Sequence, residues 1–433
     1  MAKKKEKKLL FQSPKGMHDV LPGDQFWWEK IRKATNKIAD SYNFLRIDTP
    51  IVEAAEIFER SGEGTDIAEK QMYYLKAKGG DQLVLRPEGT APIMRAYIQH
   101  GLSRFKDPLK LFYFGQMFRY EQPQQGRFRQ HNQIGFEIIG SADEPIYDAQ
   151  IILALFRLIE ELRIKKLMVQ INSIGCRVCR LAYVKKLQGY YDAQKDKLCR
   201  DCRRRLTTRP LRLLDCKQEK CVEMKADAPI IVDKICNACK NHLKAVLEYL
   251  DEISLPYTLN PYLVRGLDYY NRTVFEIFSE EENSPLALGS GGRYDYLSEM
   301  LGGKKTFAVG GSVGVERLAE AMKPREILEG QKVQSQRSEA KVFLVHIGEE
   351  AKKKNLVLLE SLREAGIKTM EMFGRESLGS QMKAANKEKA ALTLIMGQKE
   401  VFEESVIIRD MKSGAQEIIP LKKVAEEVKK RLK

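Results

Sequence analysis

No apolar run in the 433 residues approaches the roughly 20 that cross a bilayer, so no membrane-spanning helix is expected. The opening, "MAKKKEKKLLFQSPKG", is basic but lacks a long apolar region and a small-residue cleavage site. It reads as a solvated tail, and a cytoplasmic location is the expectation. The phosphate-loop and dinucleotide glycine fingerprints are missing, which argues against those nucleotide folds. No serine-hydrolase elbow occurs. The five histidines, His18, His100, His131, His242 and His346, lack zinc-protease spacing, so histidine catalysis is not expected. Acid is in deficit: 59 acidic residues face 74 basic ones, for a net charge of +15. That excess suits a polyanion, because phosphate contacts release counterions. A merely lysine-rich composition gives the same balance.

Cysteine is absent outside residues 176–239, and all eight lie within them. They pair as Cys176/Cys179, Cys199/Cys202, Cys216/Cys221 and Cys236/Cys239. Three pairs have C-x2-C spacing and one has C-x4-C, as in zinc knuckles. Two structural Zn2+ sites would use all eight, bracing a small domain without doing chemistry. Small buried thiols that pack as apolar residues are the other reading.

The length suggests about three domains. An amphipathic helix covers 25–43, with Trp27, Ile31, Ala34, Ile38 and Tyr42 on one stripe. Strand, turn and helix patterns alternate to about 174. Cysteines and basic residues then dominate to 247, as in "CRDCRRRLTTRPLRLL", before strand-rich sequence resumes at "PYTLNPYLVRGLDYY". This is the pattern of an insertion. A polar stretch at 323–339 reads as a linker. Alternating strands and helices follow in 340–433, the mark of a separate α/β domain. The expected division is a basic tail at 1–13, a domain from 14–174 plus 248–322, an insertion at 175–247, the linker, and the last domain.

Polar residues recur where an apolar core would be expected. "LVRGLDYYNRTVFE" at 263–276 reads as a strand, with Arg265, Leu267, Tyr269 and Asn271 on one face. Gly266, Asp268, Tyr270 and Arg272 fall on the other. A plain core strand would not be polar on both sides, so a small polar ligand is implied. "FRYEQPQQGRFRQ" puts Arg119, Glu121, Arg127 and Arg129 on one hairpin, a phosphate clamp or a solvated basic loop. "RPEGT" places Glu88 and Thr90 after an apolar strand, either to hold an ammonium or to let Thr90 cap a helix from Ala91. "QIGFEIIG" sets Gln133 and Glu137 on one face of an apolar strand, where a carboxylate needs a partner. "GSGGRYD" and "GGSVGVERL" allow close backbone approach or simple tight turns.

Taken in order, these motifs resemble histidyl-tRNA synthetase from "PKGMHDVLP" at residue 14 to the end. "FRYE…GRFRQ" and "GVERL" are similar to class II synthetase motifs two and three, and "RGLDYYNRTVFE" to the histidine-specific signature. The resemblance implies an α+β fold: a class II catalytic domain with an antiparallel sheet flanked by helices, a helical insertion, and a C-terminal α/β anticodon-binding domain. It implies a homodimer that uses ATP with Mg2+, histidine and a histidine transfer RNA. It assigns Glu88, Thr90 and Gln133 to the ammonium, Glu137 and Tyr270 to the imidazole, and Tyr269 and Tyr294 to pocket walls. Arg265 and Arg119 fall at the α-phosphate, Arg317 at the γ-phosphate, and Arg127 on the ATP side. Glu121 would read the adenine amine. The sequence departs from the family at His131, where an aromatic residue usually stacks on adenine, and in "GSVGVERL", which lacks bulkier residues before Glu-Arg.

Three other readings compete. A regulatory paralogue of histidine biosynthesis keeps the fold as a binding module, but typically without the last domain and with eroded arginines. A zinc-knuckle nucleic-acid binder fits cysteines and charge but leaves the pocket motifs unexplained. A synthetase for another amino acid would leave Glu137 and Tyr270 unpaired against an apolar side chain.

Overall fold

The structure is a computed structural model that describes residues 11–62, 67–124, 126–140, 142–280, 287–323 and 341–432. Most of the expected basic tail and of the linker lies outside these residues. The chain divides into two compact units, one up to Val333 and one from Gln334. Among the described residues no helix is long and apolar enough to cross a membrane.

In chain order the first unit has strands β1 (Leu45–Arg46), β2 (Val52–Ala54), β3 (Tyr73–Lys76), β4 (Gln82–Leu85), β5 (Leu109–Phe118) and β6 (Gln130–Gly140). There follow β7 (Leu167–Ser173), β8 (Tyr257–Leu259), β9 (Asn271–Ser279), β10 (Gly289–Arg293) and β11 (Phe307–Gly314). A small sheet has the order β2-β4-β3, and the main sheet the order β1-β5-β6-β11-β10-β9-β7-β8. The main sheet is antiparallel except at its two edge pairs, β1 with β5 and β7 with β8, which are parallel.

Strand alternation explains why this sheet can carry a site. On β6, Ile134, Phe136 and Ile138 share one face. That face joins a core with helices Gln25–Ser41, Ile146–Glu161, Asn237–Glu252 and Val315–Met322. Fully buried members such as Ile31, Leu155 and Phe275 each contribute about 1.5–3 kcal/mol of transfer free energy. The opposite face carries Gln133, Gly135 and Glu137.

The expected strand over 263–276 forms only from Asn271 onward. Residues 263–270 are a loop because other donors take their carbonyls. Arg180 Nη1 donates to Asp268 O (2.8 Å) and to Tyr270 O (3.3 Å). Asn172 Nδ2 donates to Leu263 O (3.0 Å). Where the strand does start it is bulged: Arg272 has φ +50°, and the register with β10 slips between Gly292 and Arg293. The two-face assignment therefore fails, and Tyr269 and Tyr270 line the same pocket.

The cysteine-rich segment is helical, with Arg177–Asp192, Arg200–Thr208 and Glu219–Lys225. Helix Asn237–Glu252 runs through the boundary expected at 247, and its Val246 and Leu250 pack in the core of the main sheet. The segment's own apolar side chains share a core with Tyr113, Tyr269 and Tyr294.

The second unit has strands β12 (Val342–His346), β13 (Thr369–Met370), β14 (Leu392–Met396), β15 (Ser405–Asp410) and β16 (Gln416–Pro420), in the order β13-β12-β14-β15-β16. β12 pairs parallel with β13 and β14, while β15 and β16 form an antiparallel hairpin. The turn has Gly414 at φ +76°, a backbone conformation that glycine adopts without steric cost.

Candidate active site

A pocket of about 320 Å³ opens on the polar face of the main sheet. Glu88, Thr90, Gln133, Tyr269 and Tyr270 line it together with Arg119, Glu121, Arg127, Arg265 and Arg317. Glu137 and Tyr294 lie just behind its wall, each 1% exposed. Arg129 turns away: its guanidinium stacks 4.1 Å from the Tyr120 ring, and its Nε donates to Glu121 O (3.1 Å). The eight cysteines lie outside the pocket.

One end is built from buried carboxylates and hydroxyls. Helix Thr90–Gln99 starts at the pocket, and Glu88 rather than Thr90 caps it. Its carboxylate accepts from Thr90 N (2.6 Å) and Ala91 N (2.8 Å). Burial raises the Glu88 pKa, and these two amides partly counter it. Freed from capping, Thr90 Oγ1 donates to Glu137 Oε1 (2.9 Å). Tyr294 Oη donates to Glu137 Oε2 (2.5 Å). Among the described residues no cation pairs with Glu137, and its partners are these two hydroxyls. Burial pushes its carboxyl up to about 8, although both hydroxyls oppose the shift. Space for this carboxylate requires glycine opposite it, since a Cβ on Gly310 would lie 1.5 Å from Oε2. The rings of Tyr269 and Tyr270 sit 4.7 Å apart, with Tyr294 5.8 Å from Tyr269. Gln133 Nε2 donates to Ser312 Oγ (2.6 Å) and its Oε1 accepts from Tyr113 Oη (3.1 Å).

The other end is guanidinium-rich. Arg265 is pinned by an ion pair with Glu276 and by donation from Nη2 to Ser290 Oγ (2.7 Å). Arg119 Nε donates to Pro87 O (2.8 Å). Arg317 donates from Nε to Gly126 O (3.0 Å) and from Nη1 to Ala287 O (2.7 Å). Burial, with Arg127 and Arg119 adding to it, lowers the Arg317 pKa. Crowded like charges of this kind favour an anionic ligand. Between the arginines stands His131, whose imidazole burial pushes down to about 3, with Arg119 and Arg317 adding. It presents an uncharged aromatic ring to the pocket.

Sequence reasoning missed several residues. Glu276 closes the quoted signature stretch, and a carboxylate set between the apolar Phe275 and Ile277 is the available signal. Ser290 lies inside "GSGGRYD" and Ser312 inside "GGSVGVERL", where glycine dominates the pattern. Glu316 accepts from the backbone N of Asn132 (2.8 Å) and lines the pocket. Arg212 reaches the pocket from the cysteine-rich segment, and no local pattern announces it. In "GGRYD", Arg293 is 1% exposed and paired with Asp148 and Asp295, so it holds the fold together rather than a ligand.

Residues 16–318 match the family "Histidyl-tRNA synthetase", and residues 341–431 match "Anticodon binding domain". A histidine--tRNA ligase of Dehalococcoides mccartyi is 43% identical over 98% of this chain and 100% of its own. One from Natranaerobius thermophilus is 41% identical over 97% and 99%. The apo S. aureus histidyl-tRNA synthetase superposes with a TM-score of 0.76 at 32% identity, covering 96% of this chain and 99% of that one. With both domains matched in order and nearly end to end, the chain belongs to the histidyl-tRNA synthetase family of class II synthetases, with its anticodon-binding domain at the C-terminal end.

Proposed function

We propose that the pocket activates histidine with ATP and passes it to the terminal adenosine of a histidine transfer RNA. The observation that carries this reading is the polarity of one pocket: buried carboxylates and hydroxyls at one end, fixed guanidiniums at the other. The catalytic body is taken as 14–174 with 248–322, the insertion as 175–247, and the anticodon-binding domain as 340–433. The enzyme works in the cytoplasm as a homodimer, which sedimentation at twice the mass of one chain would test.

Histidine enters with its ammonium toward Glu88, Thr90 and Gln133. Its imidazole is held by Glu137 and Tyr270, against walls formed by Tyr269 and Tyr294. ATP arrives as its magnesium complex. Glu316, whose carboxylate accepts from Asn132 and lines the pocket, would hold that ion, which would offset phosphate charge. Arg119 and Arg265 meet the α-phosphate, Arg127 and Arg317 the outer phosphates, and Glu121 the adenine amine. A histidine carboxylate oxygen attacks the α-phosphorus, the bond to the bridging oxygen breaks, and pyrophosphate leaves with the electron pair. A hydroxyl of the terminal adenosine then attacks the acyl carbon and releases AMP. Positioning and fixed charge carry both steps, without a protein nucleophile.

His131 serves as a neutral platform for adenine. Base stacking on an aromatic side chain is worth about 1–3 kcal/mol. His131→Ala is thus expected to raise KM for ATP about tenfold and to leave KM for histidine nearly unchanged. His131→Phe should lower KM for ATP. Equal ATP constants in all three proteins would remove the ring from the adenine site. Charging of a histidine transfer RNA, and of no other, tests the reaction as a whole.

A further inference from the structure

Among the described residues two sets of thiols converge: Cys176, Cys179, Cys236 and Cys239 in one, and Cys199, Cys202, Cys216 and Cys221 in the other. Within each set all four sulfurs lie within 4.8 Å of one another. The sets are nested along the chain, with the first pair joining the last and the two middle pairs joining each other. Neighbouring pairs in sequence would not have suggested this.

Three features go beyond apolar packing. First, the spacing suits a metal. Tetrahedral Zn–S bonds of about 2.3 Å place sulfurs about 3.8 Å apart. Cys176 Sγ lies 3.6 Å from Cys179 Sγ, and Cys199 Sγ lies 3.9 Å from Cys216 Sγ, and none of the eight is in a disulfide. Second, backbone amides point at sulfur. Cys236 N donates to Cys179 Sγ (3.0 Å), Cys202 N to Cys199 Sγ (3.4 Å) and Cys199 N to Cys221 Sγ (3.4 Å). Such donors stabilise thiolate over thiol. Third, Cys176, Cys199 and Cys236 each stand at the N-cap of a helix, Arg177–Asp192, Arg200–Thr208 and Asn237–Glu252. There the unpaired amides favour negative charge. Gly175, at φ +67°, makes the turn into the first pair, and a Cβ on it would lie 2.7 Å from Cys179 Cβ.

We propose that these are two structural zinc sites in nested pairing, and that they fix the pocket wall at 263–270. The outer set closes the base of the insertion, joining the residue after β7 and Gly175 to the helix that returns to the sheet. Arg180, next to Cys179, holds Asp268 and Tyr270 by the bonds described above. The inner set brackets the turn Pro210–Leu213. From that turn Arg212 enters the pocket beside Gly266. This second part rests on the proposed histidine pocket; the zinc sites themselves do not.

Metal analysis of the full-length protein should give two zinc ions per chain. Cobalt(II) substitution should give the strong visible absorption of tetrahedral thiolate sites. Cys176→Ser with Cys236→Ser should remove one ion, and Cys176→Ser with Cys216→Ser should remove both. Loss of both ions from the first variant would overturn the nested pairing. Where a variant does not fold, the wild type decides: eight thiols that resist Ellman's reagent until a chelator is added support the sites. A zinc-free wild type, or thiols equally reactive before and after the chelator, overturns them. Folded, chelator-stripped protein should show KM for histidine raised several-fold and restored by Zn2+ alone. An unchanged KM would refute the link to the pocket wall and leave the metal count standing.

Discussion

Arg265→Ala will cut histidine-dependent pyrophosphate exchange by about a hundred- to a thousandfold, the usual loss when one preorganised charge is removed from a developing oxyanion. The pentavalent phosphorus gains negative charge that the ground state lacks, so the loss should fall on kcat more than on either KM. Arg265 is suited to that task because it does not have to move. Its guanidinium is held by Glu276 and Ser290, the side chain is 17% exposed, and the guanidinium carbon lies 5.8 Å from the centre of the Tyr270 ring. Arg265→Lys should restore little, since a point charge cannot keep both contacts in a fixed fork. Stopped-flow adenylate formation would check it. An alanine variant with wild-type kcat would show that this arginine is an ion-pair partner of Glu276 and nothing more.

Glu137→Gln is expected to lower kcat/KM for histidine by about a hundredfold or more, because a site built to bond a polar group loses heavily when one partner changes. It should also reshape the pH profile, and the sign can be worked out. In the free enzyme burial holds the Glu137 carboxyl at about 8. Free imidazole titrates near 6.5. In the proposed complex the pair would share one proton. Between those two values the free species carry one proton in total, on Glu137, and binding needs no proton exchange. Below about 6.5 the substrate brings a second proton that must be released. Above about 8 the carboxylate is bare and a proton must be taken up. The profile of kcat/KM is therefore a bell with limbs near these values, since that ratio reports free enzyme and free substrate. In Glu137→Gln the upper limb should vanish and the lower one persist. An unchanged upper limb would assign it to another group.

Much of the site was legible from the chain because its residues carry chemistry that a core cannot use. Glu88, Glu137 and Arg265 are charged groups in β-rich surroundings, and burial of such groups requires partners or a ligand. The order of six stretches from "RPEGT" to "GVERL" set their company. Geometry within the stretches was less legible. Residues 263–270 have strand-forming side chains, yet Arg180, some ninety positions away in sequence, takes the carbonyl of Asp268 and turns the segment into a loop. Thr90 has the chemistry of a helix cap, but Glu88 lies better placed to accept from two amides, which releases the threonine to Glu137. Cysteine spacing showed pairs but not which pairs meet, because that depends on the helix that begins at Asn237 and leads back to the sheet. Arg212 had no signal at all, since only tertiary folding brings it to the pocket.

The most direct measurement is ATP–pyrophosphate exchange by the purified full-length protein with each of the twenty amino acids in turn. Exchange with histidine alone is the expected result. No exchange with any amino acid, from folded protein that still binds histidine, would contradict it and make this pocket that of a histidine-binding regulator.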